Sequence, residues 1–257
     1  DNRENLRPEL REYPVIKRCF DIARQEGVDM WGVVAPNWQE KFGFPAAELL
    51  RHLNKNTDYD ACFIDMWTHQ SMTMYNVWEQ AYYHYPAIME IMDAVCPHIG
   101  IDSTLIRQPM TRDNSFFCST LFAKNHVWQE YFDFVDRYLA CIPQLPPHLH
   151  DIHESSAKHN SVRATYFPFI QERLMSTFFL LHKHKYKLLP YHIHEANLMQ
   201  EFHICDMYKR LAIERHDIAM CYRWLEQRNK IKYLNFSSQH FPNIDDDIAK
   251  TWFNLLW

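Results

Sequence analysis

The sequence predicts an α/β fold, a central mixed sheet flanked by helices with a helical appendage at the C-terminal end, and three observations carry that prediction. Short apolar stretches rich in β-branched and aromatic residues recur between longer segments of helical period. Gly and Pro punctuate the changes from one pattern to the other. Beyond Glu195 the strand signal stops and the chain reads helical to about Arg228, before an aromatic tail. Strands alternating with helices favour a layered sheet with helices on both faces.

In order, Val15, Ile16, Cys19, Phe20 and Ala23 give Pro14 to Glu26 a helical stripe that Gly27 ends. Met30 to Ala35 (MWGVVA) follows as a strand. Pro45 to Leu53 is a helix with Pro in its first turn, and Tyr59 to Asp65 (YDACFID) a second, buried strand. Met74, Val77, Trp78 and Ala81 mark a helix from Thr73 to Tyr83, and Pro86 opens another through Val95. Ser115 to Ala123 is a strand, followed by an aromatic-rich helix over Val127 to Leu139. Pro143 to Asn160, with three prolines and four histidines, is predicted as a loop. Pro168 to His182 is apolar nearly all round, as a buried helix is, and Lys187 to Tyr191 is the last strand. The expected division is residues 1–191 as the main domain, with its loop at about 143–160, and 192–257 as a helical extension packed on it.

Composition removes several function classes. The 257 residues are 47% hydrophobic and 15% aromatic, too rich in large side chains for disorder. Four glycines, at 27, 32, 43 and 100, build neither GxGxxG nor GxxxxGK[ST], which disfavours a dinucleotide-fingerprint dehydrogenase or a P-loop NTPase. A net charge of -5 gives no field to attract nucleic acid, so no nucleic-acid partner is expected. Seven scattered cysteines without CxxC read as reduced core thiols of a cytoplasmic protein. The polar stretch Asp1 to Tyr13 does not read as a secretory signal. Apolar runs of about ten residues fall short of the ~20 that span a bilayer.

Sixteen histidines invite a metal reading at His148, His150 and His153 with Glu154, and at the pairs His182/His184 and His192/His194. Solvated loop histidines explain these as well, because a metal needs several converging ligands. Three acidic positions are more informative. Asp65 ends an apolar strand, where ligands bind in open α/β sheets, although a strand-terminal cap is an equal reading. Asn76, Glu79, Gln80 and Tyr83 share the polar face of their helix, which is either solvated or a sugar-binding surface. Glu172 and Arg173 interrupt an apolar helix, either as a structural ion pair or as site residues with outside partners. At 100° apart they are expected not to neutralise one another.

Five blocks carry a resemblance: WGVVAPNWQEKFGF (31–44), YDACFIDMW (59–67), YNVWEQAYYHYP (75–86), FCSTLFAKNHVWQEYFDFV (117–135) and PFIQERLMSTFF (168–179). In this order they resemble a family of bacterial glycosyltransferase-like proteins of capsule and surface-polysaccharide loci, with a GT-A type nucleotide-diphospho-sugar transferase fold. The resemblance implies sugar transfer from a nucleotide-sugar donor to a glycan or lipid-linked acceptor, in the cytoplasm or peripheral to the inner membrane, in a larger biosynthetic assembly. It implies Asp65, Glu79 and Glu172 as catalytic candidates, and Lys41, Asn76, His84, Lys124 and Arg173 as donor or acceptor contacts. Many GT-A enzymes hold Mn2+ or Mg2+ on a DxD motif at a strand end. Here Asp58-Tyr59-Asp60 precedes the strand and only Asp65 follows it, which leaves a divalent metal in question, with Asp65 its one candidate ligand. An inactive GT-A-like domain binding a glycan or a protein is the alternative.

Overall fold

The computed structural model describes residues 7–34, 38–117, 120–155, 157–159, 162–193 and 198–235. In chain order the elements are α1 (Tyr13–Gln25), β1 (Met30–Gly32), α2 (Trp38–Phe42), α3 (Ala46–Lys55), β2 (Ala61–Asp65), α4 (Thr68–Thr73), α5 (Val77–His84) and α6 (Ile88–Val95). There follow β3 (Leu121–Lys124), α7 (Asn125–Cys141), α8 (Pro147–Glu154), β4 (Ala157–His159), β5 (Val162–Ala164), α9 (Phe167–Leu181), β6 (Leu188–His192), α10 (Gln200–Arg215) and α11 (Ile218–Asn235). The fold is mixed α/β.

Four strands form one sheet in the order β1-β3-β2-β6; β3 runs antiparallel to β1 and β2, and β6 runs parallel to β2. Every residue of β2 is buried. Side-chain alternation sends Ala61 and Phe63 to one core with α1, α5, α6, α7 and α9, and Cys62 and Ile64 to a second core with Trp38, Phe42, Phe44 and Leu49. Helices therefore cover both faces. At Gly32, paired with Phe122, a Cβ would come within 2.5 Å of the Leu121 carbonyl oxygen, so only glycine lets β1 approach β3 this closely.

Three local expectations differ from the structure. The stretch from Ser115 pairs as a strand only at Leu121–Lys124. At Phe116 the backbone meets a side chain of α9 instead: its N–H donates to Ser176 Oγ and its carbonyl accepts from the Ser176 hydroxyl, each at 3.1 Å. The stretch 143–160, read as a loop, contains α8, entered through Pro147, and strand β4, which pairs with β5. The helix expected over Thr73 to Tyr83 is two, because Asn76 breaks it. The extended backbone of Asn76 starts α5, and its Oδ1 accepts the N–H groups of Trp78 and Glu79, each at 2.9 Å.

The C-terminal helices form a hairpin, α10 turning into α11 at His216, whose left-handed backbone (φ 52) closes α10. Asp217 then accepts the N–H groups of Ala219 and Met220 at the start of α11. The hairpin packs on α4 through Met72, Tyr75, Phe202, Cys205, Trp224 and Leu225. Its polar side chains also hold the carbonyls at the end of α4. Lys209 Nζ donates to Ser71 O (2.8 Å) and Met74 O (2.6 Å), and Trp224 Nε1 to Met72 O (3.2 Å). A short helix leaves most of its carbonyls orphaned, and here another element satisfies them. Among the described residues no helix is long and apolar enough to cross a membrane.

Candidate functional site

Strands β2 and β6 are parallel neighbours, so their carboxyl ends lie side by side, and Asp65 is the register partner of His192. Ligands of open α/β sheets bind at this edge. The Asp65 side chain is fully buried; its Oδ1 accepts the Trp67 N–H (3.1 Å), and its Oδ2 accepts the Ser71 hydroxyl (2.9 Å) and lies 3.2 Å from His192 Nδ1. On its other side, His192 Nε2 faces Asp113 Oδ1 at 3.7 Å. Asp113 Oδ2 receives Arg210 Nη1 at 2.7 Å, Arg210 Nε donates to Asp206 Oδ2 at 2.9 Å, and Arg112 Nε stands 3.3 Å from that same oxygen. Acidic and basic groups thus alternate from the base of the sheet to the C-terminal hairpin.

The electrostatics follow from that alternation. Burial alone pulls the His192 pKa down, but the flanking carboxylates of Asp113 and Asp65 outweigh it, so the imidazole holds its proton more firmly than usual. Burial pushes the Asp113 carboxyl up, yet His192 and Arg210 more than reverse this and hold it well below the usual carboxylate range. Asp113 keeps 46% of its side chain exposed, whereas Asp65 is at 0% and Asp206 at 8%. The carboxylate that meets solvent is therefore Asp113, with Asp65 behind His192 as its buried anchor.

Among the described side chains selected from the sequence, Asp65 belongs to this chain of contacts, and so does His192, selected only for a metal pair with His194. Glu79 is buried and forms a two-pronged ion pair with Arg228 of α11, and it also accepts from Tyr83 Oη at 3.2 Å. The polar face of α5 is thus buried by the hairpin and α9, with Gln80 accepting from Arg173. Asn76 caps α5 and donates to Ile106 O and Gln108 O, each at 2.9 Å. His84 is on the exposed last turn of α5, its ring beside Tyr85. Glu172 and Arg173, expected not to neutralise one another, do pair, at 2.7 Å; the long Arg side chain bends back to Glu172 and to Phe169 O. Lys41 lies in α2, and its side chain is outside the described residues, as is His194.

Lys124 pairs with Asp60 at 2.9 Å and Lys187 with Asp58 at 2.6 Å. Because Ala61 faces Ala123 across antiparallel strands, these pairs sit at the amino end of β2, roughly 13 Å from Asp65 at about 3.3 Å per residue. The DxD-like pair is thus at the wrong edge and neutralised by lysines. Asp65 has its oxygens occupied by an N–H, a hydroxyl and an imidazole. Neither donor set fits a divalent cation. Among the described residues no group of three or more His, Cys, Asp and Glu side chains is arranged to hold a metal ion. On α8, His153 lies between Tyr138 Oη (2.7 Å) and Glu154 (2.8 Å), and His148 faces Glu90. Burial pushes the thiols of Cys62, Cys96, Cys205 and Cys221 up to about 12, as suits inert core residues.

Asp113, Arg112, Arg210 and Asp206 are what the sequence reading missed, and His192 was singled out there only as half of a metal pair with His194 and not as the partner of Asp65. His192 follows the predicted strand Lys187 to Tyr191 directly, which was the available signal. Asp206 and Arg210, one helical turn apart, were a second. Asp113 lies in an irregular turn with no periodic signal. Comparison with family models, with curated proteins and with solved structures finds no match to this chain, so its chemistry rests on this geometry.

Proposed function

We propose that the chain is a glycosyltransferase that moves a sugar from a nucleotide-diphosphate donor to an acceptor hydroxyl at the Asp65-His192-Asp113 edge. The acceptor is a glycan or a lipid-linked sugar of surface-polysaccharide synthesis, as the family resemblance implies. The observation that carries this reading is Asp113, a half-exposed carboxylate beside an imidazole that holds its proton more firmly than usual, at the carboxyl ends of two parallel strands. In the reaction Asp113 accepts the acceptor's hydroxyl proton, the acceptor oxygen bonds to the anomeric carbon, and the bond from that carbon to the phosphate oxygen breaks. The electron pair leaves with the diphosphate. His192 and Arg112 supply positive charge near the leaving group, while Asp65 orients His192 from its buried position. No step passes through a metal ion.

The test is turnover of a panel of UDP-, GDP- and ADP-sugars by the full chain and by Asp113→Asn, which keeps shape and removes the base. Loss of turnover by about 10²-fold or more with an unchanged melting temperature supports the role. Full activity in the variant removes Asp113 from the chemistry. Binding of a nucleotide-sugar or glycan with no turnover under any condition identifies the chain as an inactive binding domain instead.

A further inference from the structure

We infer that Arg210 of the C-terminal hairpin is a diphosphate-binding residue that exchanges Asp113 for the incoming ligand, and that this exchange releases Asp113 to act as a base. The inference rests on the reading just proposed. Arg210 is held at two points of different character. Its Nε donates to Asp206, which is nearly buried, sits one turn back on the same helix and is also braced by Arg112. Its Nη1 meets Asp113, which is half exposed on the turn Arg112–Asn114. The Asp206 contact thus fixes the guanidinium, whereas the Asp113 contact is made by a solvent-facing side chain on an irregular segment.

A guanidinium oriented from behind by a carboxylate is suited to take phosphate oxygens at its forward nitrogens. In the structure Asp113 occupies that position. Held by Arg210 and His192 together, its carboxyl is too acidic to be an effective proton acceptor, since a base works best with a pKa near the working pH. A diphosphate that takes Arg210 removes the guanidinium that faces Asp113. The remaining charged neighbours are His192 with Asp65 behind it, Arg112 on the same turn, and Asp206 on α10. The basicity of Asp113 then rises as the donor arrives. Donor binding precedes activation of the acceptor, and the hairpin is part of the catalytic apparatus rather than an appendage.

The experiment follows the Asp113 carboxyl carbon by NMR in the full, 13C-aspartate-labelled chain, assigned by its loss in Asp113→Asn, with and without inorganic pyrophosphate. The expected result is a titration midpoint well below the ordinary aspartate value in the free protein and a rise when pyrophosphate binds. In Arg210→Gln the midpoint is already raised without ligand, and pyrophosphate affinity falls about tenfold or more, as loss of a charged hydrogen bond predicts. Arg210→Lys, which keeps the charge, lies between, and serves if the glutamine variant does not fold. Pyrophosphate that binds while the Asp113 midpoint stays put, or binds Arg210→Gln as well as the parent, overturns the exchange and leaves the proposed reaction standing. Failure of pyrophosphate and of every nucleotide-sugar to bind overturns both.

Discussion

Asp65 Oδ2 and His192 Nδ1 lie 3.2 Å apart at matched positions of two parallel strands, so the side chains that end β2 and β6 lock the sheet at its ligand edge. Because the folded imidazole binds its proton more firmly than the ordinary 6.5, its contribution to stability is complete below 6.5 and is lost as pH rises through the raised value. Thermal unfolding of the parent and of His192→Gln from pH 5.5 to 9 should show a stability difference that shrinks toward alkaline pH. A difference that grows with pH would contradict the assignment.

The Glu79-Arg228 pair gives the second prediction. Side-chain exposures of 5% and 0% make this a buried ion pair, in which removing one partner strands the other charge at a cost of about 3 to 5 kcal/mol. Urea unfolding of Glu79→Gln and Arg228→Met should show losses of that order. The double variant Glu79→Leu with Arg228→Met should recover a large part of the loss. Additive losses would show that the two groups do not act as a pair.

Lys209 titrates in the opposite sense to His192. Its complete burial pulls the amine down to about 8, against the pull of Asp206. The folded protein therefore gives up this proton before the unfolded chain does. Stability relative to Lys209→Met should rise with pH between about 8 and 10.5, by up to roughly 3 kcal/mol at 1.36 kcal/mol per pKa unit. Paired denaturation curves at pH 7.5, 9 and 10.5 measure the difference, and a flat profile would count against it.

Asn76 is both acceptor and donor, which separates its substitutions. Asn76→Asp keeps the cap of α5 but cannot donate to Ile106 O and Gln108 O. Although Asp caps helices as well as Asn does elsewhere, here it should destabilise by about 1 to 3 kcal/mol. Chemical denaturation of Asn76→Asp that matches the parent would show that the amide's donor half is dispensable.

The residues explain what was legible in the sequence. The apolar run of β2 and the stripe of α1 are set by local periodicity, and both formed near their predicted places, as did the helical character beyond Glu195. Asp65 was visible because a carboxylate at the end of an apolar strand conflicts with its surroundings. The role of His192, singled out only for a metal pair, was not, because it comes from the pairing of β2 with β6, a contact between residues 127 positions apart that no local window contains, and Asp113 lies in a turn with no periodic signal. The polar face of α5 misled for the same reason. Glu79 and Gln80 look solvated until Arg228 and Arg173 arrive from distant helices. Glu172 and Arg173 failed differently, since helical angle alone ignores the reach of a four-torsion side chain.

The sheet order has a consequence for synthesis. A nascent chain that has emerged only as far as α9 contains β1, β3 and β2, and in it the outer edge of β2 has no strand beside it. That edge belongs to the most apolar strand of the sheet, Ala-Cys-Phe-Ile, a poor sequence to leave unpaired because open apolar edges recruit other chains. Closing it requires Leu188–His192 to dock beside a segment laid down more than a hundred residues earlier, the kind of long-range pairing that slows folding. Conditions that delay the last strand, such as truncation before residue 188 or stalled translation, should therefore leave aggregation as the competing fate of this protein.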